Sequence, residues 1–367
     1  MRQMVHSCFS MNRIDSIISR YAPGRVLLVC GKSGFGTKVH ERLESLGVSY
    51  VVFDRYTANP KYEEVCDGVQ VFNAEGCDMI VAVGGGSCMD VAKCIKLYCK
   101  MDHTRNYLEQ EPFDTQVPLV AVPTTAGTGS EATRFAVIYY QGKKQSVNHV
   151  SIIPNEAVLV PEVLKSLPAY QKKFTVLDAY CQAIESWWSV NATEESHMLS
   201  RQAVESLTDA ILPYVNGWGD NAAVMKASNV AGQAINLTQT TAAHACSYKL
   251  TSLYGLPHGH AVAVCLPVIW RYMLEHPERC IDARGQEYMQ GVFADIAHAM
   301  GCATPLEAVQ KFEAMMAMMD MWRPASTQRE ADLEVLVSSV NPVRLKNNPV
   351  ELDEEAIRGI YELVIMN

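Results

Sequence analysis

Hydrophobic positions along the chain follow two periods, and the change falls near residue 162. Before it, short apolar runs alternate with stretches of helical periodicity. RVLLVC (25–30), VSYVVFD (48–54), CDMIVAVGGG (77–86) and VPLVAVPTT (117–125) read as buried strands. GFGTKVHERLESLG (34–47), KYEEVCDGVQVFNAEG (61–76) and CMDVAKCIKLYC (88–99) read as the helices between them. Such alternation predicts a parallel sheet with right-handed crossovers, a Rossmann-like α/β arrangement. TRFAVIYYQGKKQSVNHV (133–150) breaks the pattern with two alternating runs around Gln141-Gly142, which predicts a hairpin.

Beyond residue 162 a 3.6-residue period continues almost to the end. Helices are predicted over 172–188, 194–215, 221–250, 259–274 and 351–365. The chain is thus expected to form an α/β domain over 1–162 and an all-α domain over 163–367. The run EAMMAMMDMW (313–322) is expected to be a helical core or interface face.

Composition narrows the function classes. The net charge is −9 and no Lys/Arg block appears, so nucleic acid is an unexpected partner. The longest apolar run, near 261–270, contains Pro267 and is shorter than the ~20 residues a bilayer requires. No signal peptide is read at the N-terminus. Twelve cysteines without a CxxC pair suggest reduced thiols and a cytoplasmic protein, in which the sequon at Asn191 carries no meaning.

Candidate chemistry lies in both parts. HACSYKLTSLYGLPHGH (244–260) holds His244, His258 and His260 in an otherwise small or apolar segment, and LDAYCQAIE (177–185) places Asp178 on an apolar helical pattern. A buried carboxylate needs compensation, and imidazole is the commonest metal ligand. One divalent cation bound by Asp178, His244 and His258 satisfies all three. The alternative is separate core histidines bonded to backbone carbonyls, with the aspartate as a cap. His260, two residues past a ligand, is expected to point away.

In the first part, VAVGGGSCMDVAK (81–93) is a strand, three glycines and a helix start, which suits a phosphate. It is neither GxGxxG nor a P-loop, which disfavours a nucleotide kinase. VPTTAGTGSEAT (122–133) adds a second loop of small and hydroxyl side chains at the end of the neighbouring strand.

Together GGGSxxDxAK, PTTAGTGSE, DAxxxAxE and two histidines fourteen residues apart (258 − 244) resemble the iron-containing (group III) alcohol dehydrogenase family. The likeness runs from about Gly31 to Asn348. It implies a dinucleotide-binding α/β domain, a helical domain, bound NAD(P)H and a catalytic divalent metal. Carried over by position, Gly84, Gly85, Gly86, Ser87 and Asp90 hold the diphosphate. Thr124 and Thr125 line the adenine and ribose side, Thr128 and Thr133 lie beside the nicotinamide half, and Lys144 reaches the ribose. Asp178, His244 and His258 are metal ligands.

Three departures are informative. Gln182 stands where the family's dehydrogenases usually place a fourth ligand, a histidine. On a helix i and i+4 share a face, so Gln182 still points at the site, with Fe²⁺ or Zn²⁺ as the metal. Tyr248 replaces a histidine near the nicotinamide and is a candidate proton relay. Gly31 replaces an aspartate that repels a 2′-phosphate, and Lys32 and Ser33 can bind one, so NADPH is admitted beside NADH. Within the family, EATRFAVIYY (131–140) and SYKLTSLYGLPHGHAVA (247–263) are most similar to phosphonoacetaldehyde reductases, which implies formation of 2-hydroxyethylphosphonate. Arg134 and Lys249 are charged residues in charge-poor segments, suited to a phosphonate. The alternatives are a general short-chain alcohol or diol dehydrogenase, a lyase related to dehydroquinate synthase, and a metal-free binding protein. A homo-oligomer is expected from the family.

Overall fold

The computed structural model describes residues 3–7, 11–31 and 34–366, apart from the side chains at 343 and 344. Lys32 and Ser33, the candidate phosphate donors, lie outside the described residues. The chain divides into two compact units, Met1–Leu167 and Pro168–Asn367. The 3₁₀ turn Pro161–Ser166 stays with the first unit, so the division falls at 167 rather than 162.

The first unit contains β1 (Met4–Ser7), α1 (Arg13–Tyr21), β2 (Val26–Cys30), α2 (Gly34–Ser45), β3 (Tyr50–Phe53) and α3 (Tyr62–Ala74). It continues with β4 (Met79–Gly84), α4 (Gly86–Tyr98), β5 (Leu119–Pro123), β6 (Phe135–Tyr140), β7 (Lys143–Asn148) and β8 (Glu156–Leu159). Among the described residues the main sheet runs β1-β8-β5-β4-β2-β3, every pair parallel. The four expected strands form it together with β1 and β8. Neither addition was readable from its pattern: β1 is mostly exposed, and β8 is four residues long and opens on a charge. That charge, Glu156, is fully buried and satisfied by His6 Nε2 (2.5 Å), Arg20 and Tyr21 Oη (3.1 Å). It thereby ties β1 and α1 to the sheet. The hairpin β6–β7 forms around Gln141-Gly142, both at positive φ.

The second unit contains α5 (Ala169–Trp188), α6 (Glu194–Val215), α7 (Asn221–Thr238), α8 (Ala242–Tyr254) and α9 (His258–Glu275). It ends with α10 (Gln286–Ala299), α11 (Pro305–Met318), α12 (Arg329–Ser339), α13 (Pro342–Leu345) and α14 (Glu354–Val364). The single helix expected over 221–250 is two: Gln239 adopts φ +62° and the chain restarts at Ala242. A buried carboxylate from α5 receives the N–H groups of the new first turn, which makes the break favourable. Met315, Met316, Met319 and Met321 are buried and Met318 is exposed, so the methionine run is mainly core.

Candidate active site

The face of α5 carrying Asp178, Gln182 and Glu185 (positions i, i+4 and i+7) is buried, with exposures of 3%, 4% and 0%. Gln182 Nε2 donates to Asp178 Oδ2 at 3.3 Å, which leaves Oδ1 toward two imidazoles. His244 Nε2 lies 3.4 Å from that oxygen and His258 Nε2 lies 3.9 Å from it. The ligand atoms of Asp178, His244 and His258 all fall within 4.8 Å of one another. His244 is buried in the first turn of α8, whereas the His258 side chain, at the start of α9, is 40% exposed and leaves the cluster an open side.

Close approach of α9 to α5 depends on Gly259. A Cβ there would meet Phe174 O at 2.0 Å and Asp178 Cβ at 2.8 Å. Each histidine is held from behind. His244 Nδ1 pairs with Glu185 Oε2, and His258 Nδ1 with Ser247 Oγ at 3.4 Å. Ser247 donates its hydrogen to His244 O (2.8 Å), so His258 Nδ1 is the donor and its Nε2 lone pair faces Asp178. The Tyr248 ring stacks on His258 at 5.8 Å between centroids and 6° between planes.

Burial pulls the His244 imidazole down, but Glu185 and Asp178 outweigh it and hold it up at about 9. His244 Nε2 is buried without a hydrogen bond. Two imidazole nitrogens and a carboxylate oxygen, with the far nitrogens already fixed, fit a divalent transition metal. His260 points away: Tyr170 Oη and Trp322 O occupy its two nitrogens at 2.8 and 2.9 Å.

In the first unit, the loops after β4 and β5 touch, since Gly84 pairs with Pro123 and Thr124 N donates to Gly84 O at 3.0 Å. A Cβ on Gly85 would lie 3.5 Å from Thr125 Oγ1, and one on Gly86 3.0 Å from Thr128 Cγ2. Gly84, Gly85, Gly86, Thr124, Thr125 and Thr128 therefore form one surface at the start of α4. Ser87 stands beside it, with its hydroxyl 3.4 Å from Asn59 N.

Thr133 is turned inward instead. Its hydroxyl accepts from Lys93 Nζ at 3.0 Å, and the same ammonium donates to Ser130 Oγ (3.0 Å) and Phe135 O (2.7 Å). Lys93 is fully buried, and burial lowers it to about 8. Asp90 accepts from Ser130 Oγ at 3.2 Å and is pushed up to about 6, by burial that Lys93 and Lys144 only partly offset. Arg134 leads into β6, its guanidinium 5.3 Å from the Phe135 ring centroid. Lys249 is half-buried on α8, in the other unit.

Four residues that organise these sites were not read from the sequence: Lys93, Glu185, Ser247 and Gly259. Each sits inside a quoted motif. Glu185 follows Asp178 by two helical turns, the one spacing that would have flagged it. A surface cavity of about 410 Å³ lined by Trp187, His197, Arg284 and Tyr288 holds none of these groups. Its Arg284 is saturated by Asp282, Ser189 O, Ala192 O and Tyr288.

A parallel sheet ending in glycine and threonine loops, with a buried carboxylate and two imidazoles in a helical unit, defines a class of metal- and dinucleotide-dependent oxidoreductases. The chain belongs to the iron-containing alcohol dehydrogenase family: the family model matches residues 2–161, and the model of the family's C-terminal region matches 173–365. Members are NAD(P)-dependent alcohol and aldehyde oxidoreductases. The chain is 32% identical to the phosphonoacetaldehyde reductase of Streptomyces viridochromogenes, over 94% of this chain and 91% of that one. It is 31% identical to the 1,3-propanediol dehydrogenase of Klebsiella pneumoniae, over 90% and 87%. A sulfoacetaldehyde reductase from Bifidobacterium kashiwanohense, solved with NAD⁺, has the same fold, with TM-score 0.87, 24% identity and coverage of 99% and 96%. A 1,3-propanediol oxidoreductase structure gives TM-score 0.86 at 27% identity, covering 98% and 97%.

Proposed function

We propose that the chain is a metal-dependent NAD(P)H aldehyde reductase whose preferred substrate is a short acidic aldehyde, phosphonoacetaldehyde first. The observation that carries the reductase reading is the convergence of Asp178, His244 and His258 donor atoms within 4.8 Å. These three residues hold the metal, and Gln182 steadies Asp178. When bound, the metal polarises a carbonyl oxygen and the nicotinamide supplies hydride. The Gly84–Gly86 turn and the first N–H groups of α4 receive the diphosphate, with Thr124, Thr125 and Thr128 as hydroxyl donors. Lys144, whose charge is felt at Asp90, takes the ribose. Tyr248, stacked on His258, would donate the hydroxyl proton of the product and regain one from solvent.

The acidic substrate rests on Arg134 and on the relative named for phosphonoacetaldehyde. A guanidinium matches a phosphonate's oxygens in pairs. The second reading, a general alcohol or diol dehydrogenase, draws on comparable identity to 1,3-propanediol dehydrogenases, 34% over 74% of the chain for the Citrobacter freundii enzyme. All eleven described cysteines are free, which suits a reducing cytoplasm. No described helix is long and apolar enough to cross a membrane. A homo-oligomer is the assembly we assign.

The test follows NADH and NADPH oxidation at fixed enzyme with phosphonoacetaldehyde and with propanal. The expected outcome is a clear kcat/KM preference for the phosphonate, reduced roughly 10- to 100-fold in Arg134→Ala, the range for a lost charged hydrogen bond. Equal use of both aldehydes supports the second reading. Full turnover after chelation removes the metal mechanism.

A further inference from the structure

Glu185 is not one of the three ligands, yet its carboxylate is the most heavily engaged group around them. Its side chain is completely buried. Oε1 accepts from Thr241 N (3.1 Å), Thr241 Oγ1 (2.8 Å), Ala243 N (3.0 Å) and His244 N (3.3 Å). Thr241 Oγ1 is fixed in turn by Trp188 Nε1 at 2.9 Å. Oε2 faces His244 Nδ1. One carboxylate therefore serves two tasks. Half of it satisfies the N–H groups that open α8, where a negative group is favoured by the helix end. The other half sets the hydrogen on an imidazole.

We infer that Glu185 is a positioning residue that fixes which nitrogen of His244 is offered to the metal, an inference resting on the metal-centre reading above. A carboxylate can only accept, so its contact with Nδ1 keeps a hydrogen there, and Nε2, 3.4 Å from Asp178 Oδ1, is the nitrogen that can give up its proton and ligate. The two tasks separate in Glu185→Gln. The amide oxygen still accepts the three backbone N–H groups, so the helix start is retained. The amide NH₂ then lies at Nδ1 and donates to it, which moves the imidazole hydrogen to Nε2 and turns a ligand into a donor toward Asp178.

The test is titration of chelator-stripped protein with Co²⁺, read by its visible d–d absorption, with circular dichroism and thermal melting as controls for the fold. Wild type is expected to bind one Co²⁺, and Glu185→Gln to bind it about 10- to 100-fold more weakly while melting as a native protein. Equal affinity in a folded Glu185→Gln overturns this inference alone. Absence of Co²⁺ binding by wild type overturns it together with the metal centre. Should Glu185→Gln not fold, ¹⁵N spectra of histidine-labelled, Zn²⁺-loaded wild type decide. A His244 ring with hydrogen on Nδ1 and metal on Nε2 supports the inference, and the reverse arrangement ends it.

Discussion

Asp178 presents one oxygen to the histidines because Gln182 holds the other at 3.3 Å. Removing that donor loosens the hold on the carboxylate, and losses of this kind cost 10- to 100-fold in metal affinity. Gln182→Ala is therefore expected to weaken metal binding by about tenfold, measured by competition with a coloured chelator. Gln182→His places a third imidazole on the same helix face and is expected to tighten it. At this scale the carboxylate and the two histidines were legible as candidate ligands, because such groups in apolar helical segments demand an explanation. Ser247 was not, since a small hydroxyl leaves no periodic trace, and Glu185 showed only in its two-turn spacing from Asp178. Thr133 also has a partner that the motif did not announce, since its hydroxyl accepts from Lys93 Nζ at 3.0 Å.

Helix approach sets the geometry those residues use. Gly259 lets α9 settle on α5 at the turn carrying Asp178, with no room for a methyl group beside Phe174 O. Gly259→Ala is expected to cost roughly 1–3 kcal/mol by overpacking and to separate His258 from Asp178. A lowered melting temperature with loss of the bound metal in elemental analysis checks both. In the other unit, α4 is anchored through Lys93 to Ser130, Thr133 and Phe135. This lysine is depressed from 10.5 to about 8 in the folded protein. Between those values the unfolded chain holds a proton that the folded chain has released, so this group's contribution to stability increases with pH. Lys93→Met is expected to be less stable than wild type, by a margin that widens from pH 8 to 10 in chemical denaturation. Elements of strong period were legible, including the exact bounds of α6 and the β6–β7 turn. The break at Gln239 was not, because its cause is a carboxylate some fifty residues earlier in the chain (239 − 185 = 54).

Across the whole molecule, the two periods of the sequence correspond to two compact units. Order along the chain, a parallel sheet followed by helices, was open to reading because strand and helix patterns seldom overlap. The sheet's edge at β1 and β8 was hidden by short strands and by Glu156, a charge whose partners lie in distant segments. Among the described residues the candidate metal cluster lies in the second unit and contains no thiolate, although the chain has twelve cysteines. Nitrogen and oxygen donors alone rank first-row dications by the Irving–Williams order, which discriminates poorly between what a cell contains and what the pocket needs. Occupancy should then follow supply: cultures rich in zinc and cultures rich in iron would yield the same polypeptide with different specific activities, each convertible into the other by stripping and refilling.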